Sequence, residues 1–162
     1  MIIHVKNKNT LIIGDFQFKC CVGKNGLKYN KKEGDYSTPK GLFNLKKLYF
    51  RKDRVGNPNC KIKKKIIKKN MAWCDDKNHK KYNKEIKTQN KDLKEILYRK
   101  DYKYDYLISI SHNIQNIPNK GSAIFIHLTD NYNPTAGCIA LKKKDFEILL
   151  RLINKKTKIK IG

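Results

Sequence analysis

The sequence has little arginine for so basic a chain. Its 162 residues include 38 lysines and arginines against 14 acidic residues, for a formal net charge of +24, yet only four of the basic residues are arginine. Proteins that bind specific nucleic-acid sequences rely on arginine for bidentate contacts to phosphate and guanine. The lysines are also spread along the whole chain rather than confined to one patch. The composition therefore predicts a solvated lysine surface that attracts polyanions, without a specific nucleic-acid site.

Long apolar runs are missing as well. No run approaches the roughly 18 residues of a membrane-spanning helix, and residues 1–6 lack the basic start and apolar stretch of a secretory signal. We therefore expect no transmembrane segment and see no export route. The sequence shows no internal repeat and no shift in composition. We expect residues 1–162 to form one domain with room for a core, acting as a monomer.

The chain lacks the cysteine spacing of a zinc site. Its five cysteines contain no Cys-x-x-Cys, and the odd count leaves at least one thiol unpaired in a monomer. Asp75 and Asp76 are adjacent carboxylates without companions at metal-ligand spacing. We interpret them as loop residues or as contacts to a substrate amine. The sequence predicts neither a metal nor a cofactor.

Short strand-like runs, rich in apolar and β-branched residues, dominate what is present. The residues at 6–9 predict a hairpin turn, and the lysine-rich run at 61–69 fits either a phosphate-binding segment or an edge strand. Strands are predicted over residues 2–5, 10–14, 16–22, 41–50, 104–111, 122–128, 138–141 and 157–161.

Two helices are predicted among these strands. The clearer one covers residues 143–154, where Phe146, Leu149, Leu150 and Ile153 recur at helical spacing. A second, short and charged, covers residues 91–99. The sum predicts a mainly β fold, a sandwich or barrel, with its main helix packed near the C-terminus.

One cysteine and one histidine stand where strand-like runs meet a turn-prone loop. His127 ends the apolar run that starts at Ser122, and Cys138 follows Thr135-Ala136-Gly137 at the start of the next run. A thiol is a strong nucleophile only as the thiolate, and a nearby imidazole can take its proton. The pattern predicts a Cys/His acyl-transfer site. Taken alone it is weak, because a free cysteine is usually a small buried hydrophobe.

Long turn-rich connections carry further candidate residues. Loops that exceed ordinary connection lengths are usually functional, although each segment also reads as a turn, a surface contact or a strand cap. These segments are Gly23-Lys24-Asn25-Gly26, Asp35 with Thr38-Pro39-Lys40-Gly41-Leu42-Phe43, Trp73-Cys74-Asp75-Asp76, Tyr82-Asn83 and Ser111-His112-Asn113.

In this order, the segments resemble the L,D-transpeptidase catalytic domain family, which has a YkuD-like fold. The family pattern is a Gly-Lys-x-Gly strand end, a Thr-Pro-x-Gly-x-Phe segment, a histidine, and a final Ser/Thr-His-Gly-Cys. Here the matching segments are residues 23–26, residues 38–43, His127 and Thr135-Ala136-Gly137-Cys138. The segments at 33–35, 73–76, 82–83 and 112–113 are similar to those of a compact proteobacterial branch. The resemblance covers roughly residues 10–150.

The resemblance implies a cysteine acyltransferase acting on peptidoglycan stem tetrapeptides in the periplasm or cell envelope. Cys138 is the implied nucleophile, and His127 the implied general base and then acid, oriented by a third group such as a backbone carbonyl. Gly137 is implied to let backbone amides face the oxyanion. His112 is the second-choice base. The expected substrate-binding residues are His112, Asn113, Thr135, Asp35, Trp73, Tyr82 and Asn83. Anionic envelope polymers are further possible partners.

Two departures from the family pattern concern substrate recognition. Ala136 replaces a second histidine, and Ala140 replaces an arginine that would anchor a substrate carboxylate, so that Lys142 or His112 would have to take that role. An L,D-carboxypeptidase, or a hydrolase releasing wall-attached protein, would use the same Cys/His site. Two further hypotheses are a basic nucleic-acid-binding module and a non-catalytic peptidoglycan binder.

Overall fold

Alternating apolar residues build a mainly β structure, as the sequence predicts. The computed structural model describes residues 1–87 and 94–162. Its helices are α1 (Lys52–Val55) and α2 (Lys143–Leu152), and no described helix is long and apolar enough to cross a membrane. The strands are β1 (Ile2–Lys6), β2 (Thr10–Ile13), β3 (Phe16–Lys19), β4 (Leu27–Lys28), β5 (Thr38–Pro39), β6 (Gly41–Phe50), β7 (Lys63–Ile66), β8 (Met71–Cys74), β9 (Glu85–Lys87), β10 (Lys94–Ile96), β11 (Tyr106–Ile110), β12 (Phe125–Leu128), β13 (Ile139–Leu141) and β14 (Lys158–Ile161).

One large mixed sheet organises the described residues. Its strand order is β13-β12-β11-β6-β14-β1-β2-β3, with β7 added alongside β6. The predicted turn between the first two strands is confirmed. Residues 7–9 connect Lys6 to its partner Thr10, and the Asn9 N–H donates to the Lys6 carbonyl at 3.3 Å. Asn7 and Lys8 have φ values of 52° and 64°, as the central residues of a type I′ turn do.

The two ends of the sheet order meet and nearly close it into a barrel. Just after β3, the Cys21 N–H donates to the Ala140 carbonyl at 3.0 Å, and the Ala140 N–H donates back to Cys21 at 2.9 Å. Ala140 lies in β13, the opposite end of the order. The same junction continues through a bridge between Gly23 and Thr135. The sheet is therefore barrel-like, and its seam lies beside the Cys138 turn.

Alternation along β12 divides the structure into two apolar layers. Ile126 and Leu128 belong to the main core, together with α2 residues such as Phe146. Phe125 belongs to a second cluster on the opposite side, and the alternation of side chains places His127 on that same side. A three-stranded sheet, in the order β10-β8-β9, supplies part of this second layer.

The predicted helix over residues 91–99 is wrong where the structure describes it. Residues 94–96 form β10, which pairs antiparallel with β8, and the predicted residues 91–93 lie outside the described ranges. Strand pairing with β8, which lies in a stretch where the sequence predicts a long loop, overrides the local charged pattern. The helix predicted over residues 143–154 is confirmed as α2.

The lysine-rich segment at 61–69 contains an edge strand. All four residues of β7 are exposed, and in the described part of the chain the strand pairs with β6 alone. A row of lysines on such a strand repels another edge and blocks further pairing.

The burial of α2 predicts a large difference between two neighbouring helix positions. Phe146 is fully buried and its ring stacks on Tyr106 at a centroid distance of 5.5 Å, whereas Ile148 is 37% exposed. We expect Phe146→Ala to lower the free energy of unfolding by about 3–5 kcal/mol, and Ile148→Ala by under about 1 kcal/mol. Urea denaturation with matched m-values measures both. Equal losses would contradict this assignment of the buried face.

Candidate active site

Pairing between β12 and β13 places the candidate base and nucleophile on one face of the sheet. The strands are parallel, with His127 opposite Ala140. Continuing this register one position before β13 sets Cys138 beside Phe125. Since residues two apart along a strand share a face, Cys138 and His127 are diagonal neighbours. Both line a cleft of about 490 Å³.

Hydroxyl groups hold the turn that presents Cys138. Thr135 Oγ1 accepts from the Gly137 N–H at 3.1 Å and donates to the Cys138 carbonyl at 2.6 Å. Thr38 Oγ1, in the Thr-Pro segment, donates to the Gly137 carbonyl at 2.8 Å. Gly137 has φ of +149°, and a Cβ there would lie 2.9 Å from the Ser37 carbonyl oxygen. Only glycine therefore allows the Ser37 backbone to approach this turn so closely.

The Cys138 thiol is buried and neutral in the resting structure. It donates to the Ala123 carbonyl at 3.2 Å and accepts from the Phe125 N–H at 3.4 Å. Burial raises its pKa to about 12, and the Phe125 hydrogen bond only partly opposes this increase. The sulfur is thus held as a thiol that needs a base before it can attack.

His127 is held in the tautomer that suits such a base. Its Nδ1 lies 2.9 Å from the Leu128 carbonyl, and because a carbonyl only accepts, Nδ1 carries the proton. Nε2 then keeps its lone pair. Burial lowers the pKa of His127 to about 4, so the ring is neutral near pH 7. The Tyr104 ring packs edge-on against it at 5.4 Å between centroids.

Asn83 links several predicted substrate residues to Cys138. Its Oδ1 accepts from Trp73 Nε1 at 3.0 Å and from the Ala123 N–H at 3.1 Å, and its Nδ2 donates to the Asn113 carbonyl at 2.9 Å. Because the Ala123 carbonyl in turn accepts from the Cys138 thiol, Asn83 and Trp73 support the residue that holds the sulfur.

Of the other predicted substrate residues, Asn113 and Asp35 are engaged within their own loops, and Tyr82 is engaged with a residue of another loop. Asn113 Nδ2 donates to the Gly121 carbonyl at 3.0 Å, and the Tyr82 hydroxyl donates to Glu33. Asp35 accepts from Lys31, and although partial burial acts to raise its pKa, this and other hydrogen bonds hold the pKa well below its usual range. Thr135 lines the cleft itself.

His112 lies on a different cavity from Cys138. Together with Trp73 and Asn83 it lines a second space of about 300 Å³. Its Nε2 lies 2.9 Å from the Lys120 carbonyl, and burial lowers its pKa. The structure thus brings His127, and not His112, to the face that carries the sulfur.

Sequence reasoning missed most of the charged residues of the cleft. Ala140, which stands where the family has an arginine, is fully buried. Lys142, one candidate to replace that arginine, lies over the Tyr132 ring at 5.5 Å from its centroid and outside the cleft lining. Only Glu33 and Asp75 stood within a motif that the sequence singled out, and Lys31 borders one of them. The charged side chains that line the cleft are Lys31, Glu33, Asp75, Glu95, Arg99 and Lys103.

Metal ligands do not cluster in the described part of the chain. No group of three or more histidine, cysteine, aspartate or glutamate side chains there is placed to hold an ion. Asp75 lines the cleft, and burial is the main reason that its pKa is raised. Asp76 instead accepts from the Asn78 N–H within its own turn.

The depressed pKa of His127 predicts a loss of stability in mild acid. In the unfolded chain His127 binds a proton below a pKa of about 6.5, whereas in the folded chain it binds one only below about pH 4. The free energy of unfolding should therefore fall by about 2–3 kcal/mol as pH drops through this window. Urea denaturation across pH 4–7 for wild type and His127→Gln isolates this contribution. Parallel pH dependences would contradict it.

Gly137 predicts a steric penalty localised to the nucleophile turn. In Gly137→Ala the new Cβ meets the Ser37 backbone at 2.9 Å, and its φ of +149° is strained for any side chain. We expect the free energy of unfolding to fall by about 1–3 kcal/mol. Gly14→Ala is a matched control, since its φ is also positive at +55° but no atom lies within 4 Å of the new Cβ. An equal loss in both variants would show that the Ser37 contact contributes nothing.

Comparison with known proteins shows the family and the fold. The L,D-transpeptidase catalytic domain (YkuD) family model matches residues 2–161. A search of curated protein sequences finds no match. Among solved structures, the helical cell shape determining protein Pgp2 from Campylobacter jejuni is similar over 99% of this chain at 18% identity, with a TM-score of 0.54. Bd1075 from Bdellovibrio bacteriovorus is similar over 99% at 13% identity, with a TM-score of 0.50.

Both likenesses concern the fold. This chain spans 46% of the Pgp2 chain and 47% of the Bd1075 chain, so each neighbour is about twice as long as the matched region. The family match, in contrast, extends over nearly the whole of the present chain, including β12, which carries His127, and the turn before β13, which carries Cys138. The chain belongs to the L,D-transpeptidase catalytic domain family.

Proposed function

We propose that this protein is a peptidoglycan L,D-transpeptidase that uses Cys138 and His127 on stem tetrapeptides. The observation that carries the proposal is the neutral His127 ring, whose free Nε2 shares a sheet face and a cleft with the Cys138 thiol. A thiol with a raised pKa beside an unprotonated imidazole suits proton transfer during attack. Family membership supplies the substrate class.

The proposed first half-reaction forms a thioester. Nε2 of His127 takes the thiol proton as Cys138 Sγ attacks the carbonyl that links the third and fourth stem residues. The tetrahedral intermediate collapses, the imidazolium returns its proton to the departing nitrogen, and the terminal D-residue leaves as a free amine. The acyl group then remains on Cys138, and His127 is again neutral.

Backbone amides around Cys138 are the proposed oxyanion donors. The Gly137 N–H is already bonded to Thr135 Oγ1, so we assign the role first to the Cys138 N–H. The Thr38 hydroxyl donates to the Gly137 carbonyl and the Thr135 hydroxyl donates to the Cys138 carbonyl, so the peptides before and after Cys138 are both fixed. Such preorganised donors stabilise a developing oxyanion without further rearrangement.

The second half-reaction decides between a transpeptidase and a hydrolase. An amine from a neighbouring stem gives a link between the third residues of two stems, a free D-amino acid gives exchange, and water gives an L,D-carboxypeptidase. The three outcomes share every residue named above. The cleft offers acidic side chains, including Glu33 and Asp75, to an ammonium group, and basic ones, Arg99 and Lys103, to a carboxylate.

The cellular setting is part of the same proposal. Peptidoglycan stems lie outside the cytoplasmic membrane, so we place the protein in the periplasm or cell envelope. The Pgp2 likeness, to a protein described as determining helical cell shape, supports a role in cell shape. The lysine-rich surface suits weak attraction to anionic envelope polymers.

The test is product analysis with disaccharide-tetrapeptide fragments. We expect wild type to form a dimer lacking one terminal D-residue, and Cys138→Ala to form none. His127→Gln should lower the rate by about 10²–10⁴-fold, because the base is lost. Cys60→Ala is the matched control, since this free cysteine does not line the cleft. Mass spectrometry identifies the products.

Each remaining outcome of that test has a defined meaning. A tripeptide without dimer would replace the transpeptidase by a carboxypeptidase. Activity that persists in His127→Gln would overturn the assignment of His127 as the base, and the same assay on His112→Gln would then test the second candidate. No product from a folded wild-type protein would overturn the enzymatic proposal and favour pure binding to peptidoglycan or to another polyanion.

A further inference from the structure

Lys31 is a buried lysine whose stem passes between two glycines beside the nucleophile turn. Only 3% of its side chain is exposed. A Cβ on Gly121 would lie 2.8 Å from Lys31 Cγ, and a Cβ on Gly137 would lie 3.5 Å from Lys31 Cε. Gly137 immediately precedes Cys138, so the end of the lysine stem is packed against the peptide that carries the sulfur.

The ammonium group is fixed by its own loop. Nζ donates to Asp35 Oδ1 at 2.6 Å and to the Lys32 carbonyl at 3.0 Å. Asp35 is in turn held by the N–H groups of Lys32 and Ser37, both at 2.9 Å. These two bonds use two of the three donors of the ammonium, and Lys31 also lines the cleft that holds Cys138.

Burial of the Lys31 side chain costs desolvation free energy, which indicates that its charge has a function at this position. Burying a lysine loses hydration, and a single ion pair recovers that loss only in part. A methionine or leucine would fill the gap between Gly121 and Gly137 without this cost. The loop instead keeps a cation against the Gly137 turn that precedes Cys138, in the cleft that Lys31 and Cys138 both line, at a site where Ala140 provides no positive charge.

The surroundings of Cys138 leave Lys31 as the main nearby cation among the described residues. Charged or titratable groups facing the thiol from the packed elements are Lys31 from the 31–37 loop, Glu95 from β10, Cys21 from the barrel seam, Tyr104, and His127 from β12. Glu95 and Cys21 act to raise the pKa of Cys138, while Lys31 acts to lower it.

We propose that Lys31 is a positioning residue that acts on Cys138 through its positive charge, favouring the thiolate and the anionic adducts that follow it. The inference rests on the proposed function, since it takes Cys138 to be the nucleophile. Asp35 sets the strength of the effect, because its carboxylate partly cancels the ammonium charge that reaches the sulfur. The Lys31–Asp35 pair therefore tunes the nucleophile as well as closing the loop.

The two members of the pair distinguish this role from a purely structural one. If the pair only holds the loop in place, Lys31→Met and Asp35→Asn should change the reactivity of Cys138 in the same direction. If the charge acts on the sulfur, the variants should have opposite effects. Lys31→Met removes the cation and disfavours the thiolate, whereas Asp35→Asn frees the cation and favours it.

The experiment is alkylation of Cys138 by iodoacetamide between pH 6.5 and 8.5, followed by mass spectrometry of the peptide that contains it. We expect the rate at a given pH to fall about threefold in Lys31→Met and to rise about threefold in Asp35→Asn. We expect the pKa of Cys138 to change by about one unit, which changes the thiolate fraction about tenfold. Because a less basic thiolate is also less nucleophilic, the rate changes only about threefold. Lys160→Met, an exposed lysine on β14, controls for net charge and should not change the rate.

Cys20 serves as an internal reporter of folding. It is 1% exposed, so the fraction alkylated at Cys20 reports the unfolded fraction, which is subtracted from the alkylation of Cys138. Changes of the same sign in the two variants, or no change in either, would overturn the proposal. If Lys31→Met does not fold, Asp35→Asn decides alone, and a rate at or below wild type overturns it. Since alkylation needs no peptidoglycan substrate, opposite shifts in a protein that releases no product would reject the proposed function and keep this inference.

Discussion

The pairing of Cys21 with Ala140 is the constraint on which the site depends. Two backbone hydrogen bonds join the ends of the strand order, and they also bring the 23–38 loop against the turn before β13. Thr38 can then bond to the Gly137 carbonyl, and Lys31 can pass beside Gly137. The same backbone pairing therefore closes the barrel and positions the loops around Cys138, and the candidate site lies where the sheet closes.

Burial gives this site a neutral resting state. Desolvation acts in opposite directions on an acid and a base, so it raises the pKa of the Cys138 thiol and lowers that of His127. A preformed thiolate-imidazolium pair is therefore disfavoured before substrate arrives. Charge must develop during attack, and the fixed dipoles and cations of the surrounding loops then determine how costly that is.

Many of the strands and α2 could be predicted from sequence because their signals are local. Helical periodicity located α2, the strand-like run 41–50 located β6, and the ordered motifs indicated the family and the candidate cysteine and histidine. The β8-β10 pairing could not be found in this way, since its charged residues read as a helix until β8 supplies a partner. The role of Asn83 was also hidden, because its bonds to Trp73 and Ala123 join segments 10 and 40 residues apart.

The bond between His127 Nδ1 and the Leu128 carbonyl has a consequence for the order of events. With Nδ1 occupied, a proton can enter and leave the ring only through Nε2, on the cleft side. On the proposed chemistry, the departing D-residue and the incoming acceptor must then use the same nitrogen in turn, and so the same space. The first product has to leave before the second reactant binds, which makes the reaction ping-pong and lets the released D-residue compete with the acceptor.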